Sequence, residues 1–176
     1  MAAERRKRVS VYVGPKLTVS PGDLDRLEAT GEWVFEEKHD GFWCLATVVD
    51  GVVSEMASRT GLAFSGAECG GLLGLRVAAG GSGRLVGELT ADETAGGERA
   101  GTRRLHLFDV LDWCGLDLRD LPQTERREAL EMVYEVLGKN VLTEVRDRIR
   151  LVEQRKTGIH AWFEEIVSRG GEGVVG

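Results

Sequence analysis

The chain has 176 residues, 42% of them hydrophobic and 30% charged, a balance that suits one globular domain with a core of ordinary size. A net charge of −6 argues against a module that grips nucleic acid through a basic face. No apolar run approaches the length of a bilayer span.

The first residues, "MAAERRKRVSVYVG", are basic but have no long apolar stretch behind them, so they do not read as a secretory signal. The expectation is an intracellular protein, in the cytoplasm of a bacterium or of a virus-infected cell. Cys44, Cys69 and Cys114 are scattered and lack metal-ligand spacing. They read as buried or free thiols in a reducing compartment. Basic clusters remain at "ERRKR" near the start and at "RDRIR", 146–150.

In chain order, "SVYV" at 10–13 predicts a short strand. "SPGDLDRLEATG" predicts a short helix: Ser20 can cap it, Pro21 suits its first turn, Asp23 favours the N-terminal dipole and Gly31 can end it. "WVFEEK" and "FWCLATVVD" are rich in aromatic and β-branched residues and predict strands. Asp50-Gly51 before "VVSEMAS" is a hairpin signal. Residues 65–83 contain seven glycines; "AECGGLLGLRV" within them is read as a short helix. "GRLVGELTA" predicts a strand, "DETAGGERAGT" a polar loop and "RRLHLFDVLDW" a strand buried on at least one side.

The period then changes. Leu130, Val133, Tyr134 and Leu137 of "LPQTERREALEMVYEVL" have helical spacing. "NVLTEVRDRIRLVEQ" reads as extended in part, with helix as the alternative. In "TGIHAWFEEIVSRGG", Thr157 can cap a helix whose apolar stripe is Ile159, Trp162, Phe163, Ile166 and Val167, with Gly170 as its stop. "EGVVG" begins a strand. The mixture predicts one α+β domain of mainly antiparallel sheets with flanking helices.

Chemistry concentrates in "EEKHDG", 36–41. Lys38 is either a solvated charge ahead of a turn or an amine in a cleft, where desolvation would make it a nucleophile. Asp40-Gly41 would turn the chain and leave the cleft open. In "LHLFDVL", alternation sets Phe108 on the face opposite Leu105, Leu107 and Leu111.

Taken in order, "EEKHDG", "SRTG" at 58–61, "GEL" at 87–89, "LFDVL" at 107–111 and "EGVV" at 172–175 resemble the successive motifs of the covalent nucleotidyltransferases. They are most similar to the adenylation domain of ATP-dependent DNA ligases. "GLDLRDLPQTERREAL" and "WFEEIVSRGGEGVV" also look like ligase segments, so the resemblance covers roughly residues 32–176. It implies the nucleotidyltransferase, ATP-grasp-like fold. It also implies that residues 1–176 are one adenylation domain, incomplete at its C-terminus, without the family's next two lysines and its OB-fold domain.

The resemblance implies roles as well. Lys38 would attack the α-phosphorus of ATP to give lysyl-AMP, and the complete enzyme would pass AMP to the 5′-phosphate of nicked double-stranded DNA. Glu36 would accept a hydrogen bond from the adenine amino group. Glu37 would belong to the same nucleotide-binding set, Phe108 would stack on the purine, and Arg59 would contact ribose or phosphate. Glu88 and Glu172 would contact the nucleotide or help hold Mg²⁺, for which carboxylates are suited. Asp40 would shape the motif. The expected state is a monomer, with ATP and Mg²⁺ as cofactors and no membrane partner.

The chain departs from the family pattern at Trp43, where an arginine is usual, at Val86, where an aspartate is usual, and at Thr60 of Ser-Arg-Thr-Gly. An RNA ligase of the same superfamily stays open, as does a non-catalytic nucleotide- or DNA-binding remnant. A capping guanylyltransferase ranks below both, because Glu36 disfavours guanine.

Overall fold

The computed structural model describes residues 20–77, 80–91, 102–135 and 147–176 in full, and the backbone of 136–139. The expected strand at 10–13 and nearly all of the expected polar loop at 92–102 lie outside the described residues, as does the first part of "NVLTEVRDRIRLVEQ".

Helix α1 spans Pro21–Thr30. At its start the Asp23 carboxylate accepts hydrogen bonds from the Ser20 backbone N–H (3.2 Å) and hydroxyl (2.7 Å). Gly31 closes it at φ 69°, where a side chain would be strained. Strand β1, Phe35–Glu37, follows.

Strands β2, Phe42–Val49, and β3, Val52–Ser58, form the expected hairpin. Its turn residues Asp50 and Gly51 both have positive φ, 48° and 78°, the tight geometry that an Asp-Gly pair favours. The glycine-rich stretch is not a helix. It runs as consecutive turns, and Gly70, Gly71 and Gly74 all have positive φ, which a right-handed helix excludes. Its apolar residues still serve the core: Cys69, Leu72 and Val77 are buried.

Strands β4, Gly83–Ala91, and β5, Arg103–Trp113, complete the centre of a six-stranded sheet. Its order is β3-β2-β4-β5-β6, with β6 at Leu116–Asp117; β7, Ile149–Leu151, lies along β5. Only the β5–β7 pairing is parallel among the described strands. Alternation on β2 sends Cys44, Ala46 and Val48 into one core, where Leu85 and Leu89 of β4 and Leu105 and Leu107 of β5 meet them. Helix α2, Gln123–Lys139, covers that core with Leu130 and Val133, as its spacing predicts. Burying a side chain of this kind contributes about 1.5–3 kcal/mol.

A second sheet has the order β8-β1-β9, with β8 at Gln154–Arg155 and β9 at Val174–Val175. Phe35 of β1 enters a separate core with Leu24 of α1 and Ile159, Trp162 and Ile166 of helix α3, Ile159–Ser168. Phe163 packs against this cluster, but Val167 is exposed, so the apolar stripe of α3 is narrower than the sequence implies. The expected Thr157 cap is replaced. Gly158 is the N-cap residue, and the Glu28 carboxylate of α1 accepts from the backbone N–H groups of Gly158 (2.8 Å) and Ile159 (2.9 Å). An anion across a helix N-terminus satisfies two orphan donors and opposes the dipole.

Candidate active site

The two sheets meet around Lys38. Its backbone N–H donates to the Gly173 carbonyl at 2.9 Å, extending the β1–β9 pairing past the strand. Its ammonium forms an ion pair with the Glu172 carboxylate. Gly173 allows this approach: its φ is +122°, and a Cβ there would lie 2.8 Å from the Phe163 ring. Lys38 and Glu172, far apart in sequence, are thus brought together. The amine is not sequestered, since 51% of the Lys38 side chain is exposed. The expectation of a desolvated lysine does not hold for the chain as it stands.

The Asp40-Gly41 step has a steric reason. A Cβ on Gly41 would fall 2.5 Å from the Leu89 carbonyl oxygen, so only glycine lets the chain pass against β4 into β2. From there, β2 and β4 present their second face to Lys38. The register pairs Trp43 with Glu88, and Glu88 with His106. Glu88 is half-buried, and burial pushes its carboxyl upward. Lys38 and Arg59 pull it back, while the charges of Glu172 and Asp40 add to the rise. Lys38, Arg59, Glu88 and Glu172 therefore share one electrostatic neighbourhood.

Arg59 follows β3 in a tight turn, with Gly61 N–H donating to the Ser58 carbonyl at 2.9 Å and the Ser58 and Thr60 hydroxyls 3.0 Å apart. Its exposed guanidinium sits 5.6 Å from the Trp43 ring centroid. Trp43 thus lies against an arginine carried by the turn after β3, at the position where the family pattern has an arginine of its own. Val86, at a second of the three departures, is fully buried.

His39 stacks on His106 with ring centroids 3.8 Å apart. His106 Nε2 lies 3.2 Å from the Thr90 hydroxyl. Burial first, then neighbouring positive groups, pushes His106 down to about 3, and burial also lowers His39. Two neutral rings can stack beside the lysine without repulsion.

Glu36 is held by groups from β8 and α2. Its Oε1 accepts from Gln154 Nε2 at 2.6 Å and lies 3.7 Å from Arg127 NH1 of α2. Burial raises its carboxyl; Gln154 and Arg127 oppose the rise, and Asp109 adds to it. Glu37 instead accepts from Arg169 at 2.6 Å.

Phe108 is half-buried, and it sits on a bulge: β4 pairs Val86 with Asp109 and the next residue, Gly87, with Leu107. Leu105 and Leu107 face the main core as expected. A second bulge, at Leu111, and the one at Phe108 put Val110 rather than Leu111 in that core. Asp109 is buried and bound bidentately by Arg126, at 2.8 and 2.9 Å.

Two carboxylates facing one amine suit a divalent cation shared with substrate phosphates, because Mg²⁺ commonly takes only one or two protein carboxylates. Among the described residues no group of three or more His, Cys, Asp or Glu is gathered to hold a metal without such help. None of the described helices is long and apolar enough to cross a membrane.

No protein-family description matches the sequence, and no curated protein matches it. Solved structures do. A mycobacterial DNA ligase D complexed with ATP and MES matches with a TM-score of 0.61 at 22% identity, over 81% of this chain and 46% of that one. The ligase domain of LigD from M. tuberculosis matches with a TM-score of 0.61 at 24% identity, over the same shares. A protein described as Pmar-Lig_PreS3 matches with a TM-score of 0.55 at 19% identity, over 80% of this chain and 37% of that one. The chain spans less than half the length of these structures. Mainly antiparallel sheets, flanking helices and this likeness together give the chain the α+β fold of DNA ligase nucleotidyltransferase domains.

Proposed function

We propose that this chain is the nucleotide-accepting part of an ATP-dependent DNA ligase and that Lys38 is its nucleophile. The observation that supports this most is the meeting of Lys38 with Glu172 and Glu88 on the fold of ligase domains. In the reaction, the lone pair of Lys38 Nζ attacks the α-phosphorus of ATP. A P–N bond forms, the bond from that phosphorus to the bridging oxygen breaks, and pyrophosphate leaves with that electron pair. The ammonium sheds one proton before the attack and the nitrogen a second as the P–N bond forms, keeping one hydrogen; Glu172, paired to the amine, can receive one proton and the leaving pyrophosphate or solvent the other.

Other residues bind and orient. Glu36 accepts from the adenine amino group, Phe108 stacks on the purine, and Arg59 meets ribose or phosphate. Glu88 and Glu172 would hold Mg²⁺, whose charge would offset that of the phosphates. Glu37, tied to Arg169, would bind the nucleotide with this set, from the end of the strand that leads into Lys38. In the whole enzyme AMP then passes to the 5′-phosphate at a DNA nick, and the 3′-hydroxyl displaces it.

Incubation with ATP labelled at the α-phosphate, then proteolysis and mass spectrometry, tests the reading. One AMP on Lys38 is the expected result. Bound nucleotide without any transfer would favour a non-catalytic module, and label on a different lysine would reject the assignment.

A further inference from the structure

Arg127 is an unexpected neighbour of the nucleotide site. Its side chain is only 10% exposed, and its NH1 is buried without a hydrogen-bond partner among the described residues. Its Nε is fixed by the Glu131 carboxylate at 2.7 Å, one helical turn on. NH1 is thereby held 3.7 Å from Glu36 Oε1, an oxygen that also receives Gln154 Nε2. Leaving a guanidinium N–H buried and unsatisfied costs stability, so the arrangement calls for a role beyond packing.

We propose that Arg127 is a positioning residue that sets purine choice by keeping Glu36 an acceptor-only carboxylate. This rests on the reading above, in which Glu36 meets the base. An ionised carboxylate can only accept, which suits the amino group at position 6 of adenine. A protonated one can donate, which suits the carbonyl oxygen that guanine has there. The buried site pushes Glu36 toward the protonated form, so a fixed positive charge is needed to resist it.

The groups around Glu36 come from every neighbouring element. Arg127, with its partner Glu131, comes from α2. Gln154 comes from β8, directly across the ladder, and Val175 of β9 lies opposite on the other side. Asp109 of β5 acts against ionisation but is largely neutralised by Arg126. Arg127 is thus the one cation of this set not matched to Asp109. Its loss should move Glu36 further toward the neutral acid.

The test compares lysyl-nucleotide formation from ATP and from GTP at about pH 6 and about pH 8 in the wild type, Arg127→Gln, Arg127→Lys and Gln154→Leu. The preference of the wild type for ATP should be nearly flat across this range. In Arg127→Gln it should fall several-fold at the lower pH and partly recover at the higher, because acid favours the protonated carboxyl that the lost charge had opposed. Arg127→Lys should keep most of the preference. Gln154→Leu should shift the same way at least as strongly, because the amide hydrogen bond opposes the rise more than Arg127 does, and it keeps the test alive if Arg127→Gln does not fold. A uniform loss of activity with an unchanged ATP-to-GTP ratio and pH profile would overturn the inference and leave the proposed function standing. Equal use of both nucleotides by the wild type would overturn the inference by showing that Glu36 does not select the base. A wild type that labels with neither would overturn both.

Discussion

Two ion pairs, Lys38–Glu172 and Arg126–Asp109, differ in what surrounds them. Lys38–Glu172 is open: 51% and 39% of the two side chains are exposed. Arg126–Asp109 is closed, at 15% and 4%. The open pair contributes little to stability, since exposed pairs are worth about 0–1 kcal/mol. It leaves the amine reachable by a substrate. The closed pair anchors the start of α2 to the bulged part of β5, with Arg126 also donating to the Leu121 carbonyl at 2.7 Å. On the function proposed above, one pair would serve chemistry and the other shape.

The largest effect should come from the open pair, and only in activity. Lys38→Ala should abolish transfer of AMP to the protein while shifting the unfolding free energy by less than about 1 kcal/mol. Chemical denaturation beside the labelling assay checks both. A loss of several kcal/mol would make Lys38 a structural residue and dissolve the contrast.

The closed pair should behave in reverse. Asp109→Ala leaves a buried guanidinium without its partner, and breaking such a pair costs about 3–5 kcal/mol. Against a typical net stability of about 5–15 kcal/mol, the variant should melt far lower or fail to accumulate. Urea unfolding measures this. An unchanged midpoint would mean that Arg126 finds another acceptor at no cost.

These pairs also divide what the sequence could and could not disclose. Lys38, Asp40-Gly41 and the Asp50-Gly51 hairpin are local patterns, whose geometry follows from neighbours along the chain. The three helices inferred from period and stop signals are present, because their apolar stripes face a core wherever that core comes from. The contact of Glu36 with Arg127 and Gln154 depends on α2 and β8 arriving from distant parts of the chain, and no local spacing encodes it. The bulges that set Phe108 and Leu111 apart from strict alternation are invisible to a two-residue period. The glycine-rich stretch misled in the opposite way: its apolar residues are core, but its glycines are there for left-handed turns.

The cap of α3 sharpens the same distinction at smaller scale, because Glu28 does for α3 what Thr157 was expected to do. Glu28→Ala should cost about 1 kcal/mol, the usual value of a lost N-cap, and should weaken the packing of α1 on α3. Thr157→Ala should cost much less. Thermal melts of both variants decide it, and equal losses would return the cap to Thr157.

The smallest effect should be a slope with pH. His106 is pushed from an ordinary value of 6.5 down to about 3, chiefly by burial. Between those values the unfolded chain binds a proton at this residue that the folded chain resists. Acidification therefore favours unfolding through His106, and stability from this source rises with pH from about 3 to about 6.5. The half-buried Glu88 works the other way, since burial raises its carboxyl and acid relieves the cost. The net pH curve of the wild type therefore mixes the two and cannot assign either. The difference between wild type and His106→Gln isolates the histidine. The variant should lose a little at neutral pH, where the stack on His39 and the contact with Thr90 are gone, but it should lose less than the wild type on going from pH 7 to pH 5, values that straddle the ordinary histidine range. Urea midpoints at the two pH values give the comparison. Parallel shifts in both proteins would show that His106 takes up its proton in the folded state, and that the ring pair beside Lys38 is not kept neutral.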